Sequence, residues 1–94
     1  MMAPTPIILP SAPPSAGAHR LAWWLARTPL NFRRLRLAAG MDYAFVERVL
    51  SGEVVPVDGR VIGIAKATGG FVRAKDWKDP APGNWSARPM ERAA

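Results

Sequence analysis

The sequence predicts an all-α protein, a compact bundle of four or five helices with a helix-turn-helix unit near its middle. Apolar residues recur at helical spacing in four consecutive segments of the chain. Proline and glycine separate these segments, as is typical of turns between helices. A hydrophobic fraction of 49% in 94 residues supplies the core of one small domain. A short extended piece is expected after the fourth helix, at Phe71, Val72 and Arg73.

Three regions are expected along the chain. Residues 1–17 are predicted to form a proline-rich flexible arm, residues 18–78 the helical domain, and residues 79–94 a Pro- and Gly-rich tail. The arm lacks the basic start and continuous apolar run of a secretory signal. No segment approaches the ~20 apolar residues that are needed to span a bilayer. A cytoplasmic protein without membrane association is therefore expected.

The charge of the chain indicates a polyanionic partner. The net charge is +6 and the isoelectric point is near 11.2. From Ala18 to Lys78 there are 11 basic and 5 acidic residues, so the whole excess lies on the helical domain. The alternative explanation is that arginine only solubilises the surface. With no cysteine and one histidine, the chain has no disulfide or thiolate metal site, and we expect no cofactor.

The first helix is predicted from Ala18 to Arg27, where apolar residues recur at helical spacing. Trp23 falls on its polar side together with His19 and Arg20. An indole in that position requires a cover from the arm, the tail or a dimer partner, and packing by the tail is favoured. His19 itself is expected to be solvated at the start of the helix.

The stretch from Phe32 to Gly52 has the spacing of a helix, a tight turn and a second helix. Counted from Phe32, the ninth residue is glycine, which permits the sharp turn, and small or apolar residues fill the positions that bury one helix against the next. These positions hold Leu35, Ala39, Gly40, Met41, Val46 and Val49. The second helix is expected to begin at Pro29, or one turn later with Asn31 as its cap.

The third helix is predicted from Asp42, its N-cap, to Gly52. Its apolar residues cluster on one side at helical spacing, and its polar residues cluster on the other. The polar side would meet base edges in the major groove of DNA. The expected base-reading residues are Asp42, Tyr43, Ala44, Glu47, Arg48 and Ser51.

Three of these side chains have a specific expected contact. Arg48 would reach guanine O6 and N7, Ala44 would touch a thymine methyl group, and Tyr43 would bond a phosphate. Glu47 would accept a hydrogen bond from cytosine N4, orient Arg48 or remain simple surface charge. The residues expected to contact DNA phosphates are Asn31, Arg33, Arg34, Arg36 and Lys66.

A fourth helix is predicted from Asp58, as its cap, to Thr68. Its inward face is expected to hold Val61, Ile62, Ile64, Ala65 and Thr68, and its outward face Arg60, Gly63, Lys66 and Ala67. Beyond it, Trp77 and Trp85 are expected to anchor the tail against the domain.

These residues resemble a known family. The run AAGMDYAFVERVLSGEVVP, the later ATGG, the Phe71-Val72-Arg73 piece and the Asp76-Trp77 pair are similar to the Cro-like phage repressors, and most of all to their YdaS-type branch. The similarity covers about Leu30 to Trp77. Arg36 departs from it, because that position of the motif usually holds a small residue. The resemblance implies a bundle of four or five helices that binds operator double-stranded DNA in the nucleoid as a homodimer and regulates phage or prophage genes.

Other functions are weighed against this reading. One histidine and no cysteine leave no obvious nucleophile and base pair, so we expect no enzyme. The chain could instead be a protein-interaction module, such as a phage factor that binds polymerase or another regulator, because folds do not fix functions. A subunit of a phage packaging machine is a third class. For a homodimer, Trp23, Leu37 and the tail tryptophans are the apolar interface candidates.

Overall fold

Four α-helices and one short 3-10 helix follow one another in the computed structural model, which describes residues 9–89. They are α1 (Ala16–Leu25), α2 (Leu30–Ala39), α3 (Tyr43–Ser51), α4 (Asp58–Ala67) and the 3-10 helix (Ala74–Trp77). The predicted all-α class is confirmed. Residues 1–8 of the predicted arm and residues 90–94 of the predicted tail lie outside the described residues. The longest of these helices have ten residues, so none is long enough to cross a bilayer.

The piece expected to be extended at Phe71–Arg73 is only partly so, since Arg73 has extended angles of φ −106° and ψ 164° but the chain bends at Phe71 and Val72, and no strand occurs within residues 9–89. The chain instead bends back on the end of α4. The main-chain N–H of Val72 donates to Thr68 Oγ1 at 3.2 Å, and that of Phe71 donates to the Thr68 carbonyl oxygen at 3.2 Å. These bonds use the donors that a strand would need for pairing.

The core takes side chains from every helix. Its fully buried members include Leu21, Leu35, Met41, Val46, Val49, Ile64 and Val72. Four of these occupy the positions at which the helix, turn and helix spacing requires buried residues. Gly40 ends α2 in the left-handed conformation at φ 65°, which glycine adopts without steric cost. The predicted burial pattern of the stretch from Phe32 to Gly52 is therefore confirmed.

The predicted ends of α3 are also confirmed. The Asp42 carboxylate accepts from the main-chain N–H of Phe45 at 2.8 Å, and Gly52 closes the helix at φ 85°. The start of α1 lies two residues before the predicted Ala18, because the Ser15 hydroxyl accepts from the Ala18 N–H at 3.1 Å and caps the helix. Asp58 does not cap α4, since Val57 holds that position and Asp58 is the first helical residue.

The faces of α4 are rotated from the prediction. Gly63, expected outside, is buried against α2, while Ile62, expected inside, is 58% exposed. A Cβ atom on Gly63 would lie 2.5 Å from the Ala38 carbonyl oxygen and 2.8 Å from the Ala39 Cα. The absence of a side chain at Gly63 therefore permits the backbones of α2 and α4 to approach each other closely, and this contact sets the orientation of α4.

Both ends of the described chain pack on α1. The Trp23 indole N–H donates to the Trp85 carbonyl oxygen at 2.8 Å, and the Trp85 indole N–H donates to the Pro10 carbonyl oxygen at 2.7 Å. The Trp77 ring lies directly against Gly17. The prediction that Trp77 and Trp85 anchor the tail is confirmed, as is the tail as the cover of Trp23.

Two polar residues of α1 are buried by this packing, contrary to expectation. His19 has no exposed surface and lies edge-on to the rings of Trp23 and Trp85, with centroid distances of 6.3 and 6.5 Å. Arg20 is buried as well, donates to the Phe71 carbonyl oxygen at 3.1 Å and lies over the Phe71 ring. His19 and Arg20 are thus interior residues, because Trp85 of the tail covers His19 and Phe71 covers Arg20.

Candidate nucleic-acid interface

Helix α3 is divided lengthwise into a buried and an exposed face. Val46, Val49 and Leu50 are buried, and Phe45 is half-buried at the border. The opposite side exposes Tyr43, Ala44, Glu47, Arg48 and Ser51. This set, which we call the α3 surface, consists of the predicted base-reading residues other than Asp42. The division follows from apolar residues at helical spacing, and it leaves a continuous strip of mixed chemistry in solvent.

Two predicted base-reading residues, Asp42 and Ser51, make hydrogen bonds to the main chain at the ends of α3. The Asp42 side chain caps the N-terminus through Phe45. The Ser51 hydroxyl donates to the Arg48 carbonyl oxygen at 3.0 Å and accepts from the Glu53 N–H at 3.4 Å. Both side chains therefore stabilise the helix ends, and the middle of the α3 surface is the part free to meet a ligand.

An aromatic pair joins the first turn of α3 to the first turn of α2. The rings of Phe32 and Tyr43 stack with centroids 5.3 Å apart and planes 25° from parallel. Beside them opens a cavity of about 210 Å³. It is lined by Phe32, Arg33, Arg36, Met41, Asp42 and Tyr43. The stack fixes Tyr43 at the edge of the α3 surface, next to two exposed arginines.

Arg36 stands where the resembled family usually has a small residue, and the structure shows how it fits. Its side chain is exposed and lines the cavity with Arg33 instead of packing beneath α3. A large residue is tolerated at this position because it extends into solvent. The cavity is thus lined by two arginines and by Asp42, whose carboxylate already caps the N-terminal end of α3.

The three remaining residues that were predicted to contact phosphates differ in their exposure and bonding. Asn31 is only 2% exposed, donates from Nδ2 to the Trp24 carbonyl oxygen at 2.6 Å, and accepts from Arg34 at 3.0 Å. It links α2 to the end of α1 and cannot reach a phosphate, so its expected role is corrected. Arg34 is exposed but is held by Asn31. Lys66 is exposed on α4.

Sequence reasoning missed Arg60. Its guanidinium lies 4.3 Å from the centroid of the Phe45 ring, so a basic group of α4 is held against α3. No sequence signal pairs these two residues, because they are fifteen positions apart on different helices. Only the packing of α4 brings Arg60 to the border of the α3 surface.

The basic groups near the α3 surface are not neutralised within the described chain. One ion pair joins Lys75 and Asp79 at 3.6 Å, both exposed near the 3-10 helix and away from α3. Arg33, Arg36 and Arg48 make no ion pair within residues 9–89 and remain available to an external anion. Within the same residues, no three histidine, aspartate or glutamate side chains meet as ligands for a metal ion.

Comparison of the chain with known protein families, with curated proteins and with solved structures found no match. The resemblance to the Cro-like and YdaS-type repressors therefore stays a prediction.

Proposed function

We propose that the protein is a sequence-specific DNA-binding regulator of transcription, with α3 as the helix that reads the major groove. The observation that carries this proposal is the joint exposure of Arg48 on the α3 surface and of Arg33 and Arg36 at the N-terminal end of α3. A base-reading group beside two phosphate-binding groups is the arrangement that sequence-specific binding needs.

The dimensions and chemistry of α3 suit this role. A helix with its side chains is about 10–12 Å across and enters a major groove about 12 Å wide. Arg48 then donates two hydrogen bonds to guanine O6 and N7, and Ala44 packs against a thymine methyl group. Glu47 lies beside Arg48 in sequence. Because its carboxylate repels phosphate, this face of α3 is better suited to contact with the bases than with the DNA backbone. Arg33 and Arg36 bind the adjacent phosphates and supply most of the affinity.

One helix reads only one half-site, so the active species is a homodimer. Its two copies of α3 occupy half-sites about one helical turn, roughly 34 Å, apart. The protein then acts in the cytoplasm on the nucleoid. Its resemblance to the Cro-like and YdaS-type repressors supports phage or prophage genes as its targets.

A second candidate function is a protein-interaction module that binds polymerase or another regulator. The observation that favours it is the exposure of Leu37 at 78% and of Leu30 at 57% on α2, which DNA binding does not explain. Exposed arginines around α3 that have no ion pair within the described residues favour DNA, because arginine neutralises backbone phosphates.

Arg48→Ala is expected to lower the preference for one base pair by about 1–3 kcal/mol, because the bidentate contact to guanine is lost. The measurement is a selection of binding sites from randomised duplexes, followed by affinities for the selected site and its single-base variants. The matched control is Arg88→Ala, which removes an exposed arginine of the tail. If the wild-type chain enriches no sequence, or if both variants lose preference equally, reading by α3 is refuted.

A further inference from the structure

The short segment between α3 and α4 alternates between burial and exposure. Val54 is half-buried and Pro56 is buried, whereas Val55 is 57% and Val57 is 65% exposed. This period of two is typical of an extended chain with one side on the domain. Val57 has extended backbone angles of φ −137° and ψ 162°. The result is an apolar face of Val55 and Val57 in water, which we call the valine face.

The residues at the start of α4, next to the valine face, do not follow the local preferences of a helix start. Val57 occupies the N-cap of α4 without a side-chain hydrogen bond, although valine is among the poorest residues for that position. The next residue, Asp58, has φ 49°, a left-handed conformation that is uncommon for residues with a side chain, aspartate being among those that adopt it more readily. Residues that break local preferences without a local gain are expected at functional positions. These two neighbours therefore point to a surface kept for a partner.

The charge around the valine face favours a second copy of the chain over DNA. Residues 53–60 contain Glu53, Asp58 and Arg60, a net charge of −1 in a chain of net charge +6. An acidic border repels phosphate, whereas two like-charged chains approach each other best at their least basic surface. A patch that holds both carboxylates and Arg60 carries the opposite charges that self-association across a two-fold axis needs.

Leu37 is more exposed than either valine but is a poorer interface. It lies on α2 close to Arg33, Arg34 and Arg36, where two copies of a basic chain repel each other. The two apolar patches thus differ in the charge that surrounds them.

We infer that the valine face is the homodimer interface, an inference that rests on the proposed function for its geometry. The face begins directly after Gly52, the C-cap of α3. Contact through it brings the C-terminal ends of the two reading helices beside the two-fold axis. The N-terminal ends, with Arg33 and Arg36, then point outward along the DNA, as two half-sites one turn apart require.

The test is the oligomeric state of the full chain, measured by sedimentation equilibrium without DNA over a range of concentrations. Wild-type protein is expected to form a reversible dimer. Val57→Asp is expected to raise the dimer dissociation constant by roughly tenfold or more, because it removes an apolar contact and places carboxylates together at the axis. Aspartate is a good N-cap, so this variant folds at least as stably as the wild type, and thermal unfolding checks that it does.

The matched control is Leu37→Glu, which places the same charge on the apolar patch of α2 and leaves the dimer intact. The interface is refuted if the wild-type chain is a monomer at every concentration, if Val57→Asp dimerises as tightly as the wild type, or if Leu37→Glu is the variant that dissociates. Failure of the proposed DNA-binding function can be told apart from failure of the interface. In that case the wild-type chain binds no duplex, whatever its oligomeric state. A Val57→Asp monomer that still binds a single half-site supports both proposals.

Discussion

Gly63→Ala is expected to lower the free energy of unfolding by about 1–3 kcal/mol. The added Cβ would lie 2.5 Å from the Ala38 carbonyl oxygen and 2.9 Å from the Ala39 Cβ. Backbone atoms cannot rotate away as a flexible side chain can, so α2 and α4 must separate. Alanine is the better helix former by about 1 kcal/mol, and the steric cost has to exceed that gain. Chemical unfolding monitored by circular dichroism measures the change.

Gly59→Ala is the control, because it makes the same substitution in the same helix with no atom within 4 Å of the new Cβ. It should leave the stability unchanged or raise it slightly. Equal unfolding midpoints for the two variants would contradict the close approach of α2 and α4, and with it the orientation of the fourth helix.

The double variant Arg33→Ala, Arg36→Ala should lower the salt dependence of DNA binding. Each phosphate that is neutralised contributes about 0.9 to the slope of log affinity against log salt, so losing two contacts reduces the slope by about 1.8. Affinity should fall for every duplex sequence alike, since phosphates carry no sequence information. Titrations at several salt concentrations, with the selected site and a scrambled site, measure both effects.

Lys75→Ala, Lys78→Ala is the matched control for this measurement. It removes two exposed basic residues and the same net charge, at and just after the 3-10 helix instead of on α2. Its slope should stay close to that of the wild type. Equal losses in the two double variants would mean that DNA responds only to net charge, which argues against a built interface at the N-terminal end of α3.

The stretch from Phe32 to Gly52 was the part of the fold most open to prediction from sequence. Its signals are local: a capping aspartate, a glycine at each turn and apolar residues at one helical period. Asp42, Gly40 and Gly52 act as those signals predict. The division of α3 followed from the same period, so the exposure of Ala44, Glu47 and Arg48 could be anticipated.

The orientation of α4 could not be predicted in this way. Val61, Ile62 and Ile64 give an apolar run around Gly63, so the period does not fix which side faces inward. The structure selects the side with glycine, because that side permits the closest packing on α2. A missing side chain contributes nothing to a hydrophobic pattern, and the pattern therefore favoured Ile62 over Gly63.

Contacts between distant parts of the chain account for the other differences. Asn31 looked like a polar surface residue, but the end of α1 offers it a buried carbonyl group at Trp24. His19 looked solvated because the tail that covers it lies 66 positions later, at Trp85. Arg60 joins the candidate site only through Phe45. The hydrophobic periodicity of a single helix predicts none of these contacts.

Contact between the α3 surface and DNA can be mapped by nuclear magnetic resonance of the isotope-labelled chain during titration with the selected duplex. The largest shifts are expected for the main-chain amides of Ala44, Glu47 and Arg48 and for the side chains of Arg33 and Arg36. The indole signals of Trp23 and Trp85, which are bonded within the chain, should move little. Shifts confined to those indoles, with the α3 signals unchanged at saturation, would mean that α3 does not contact DNA.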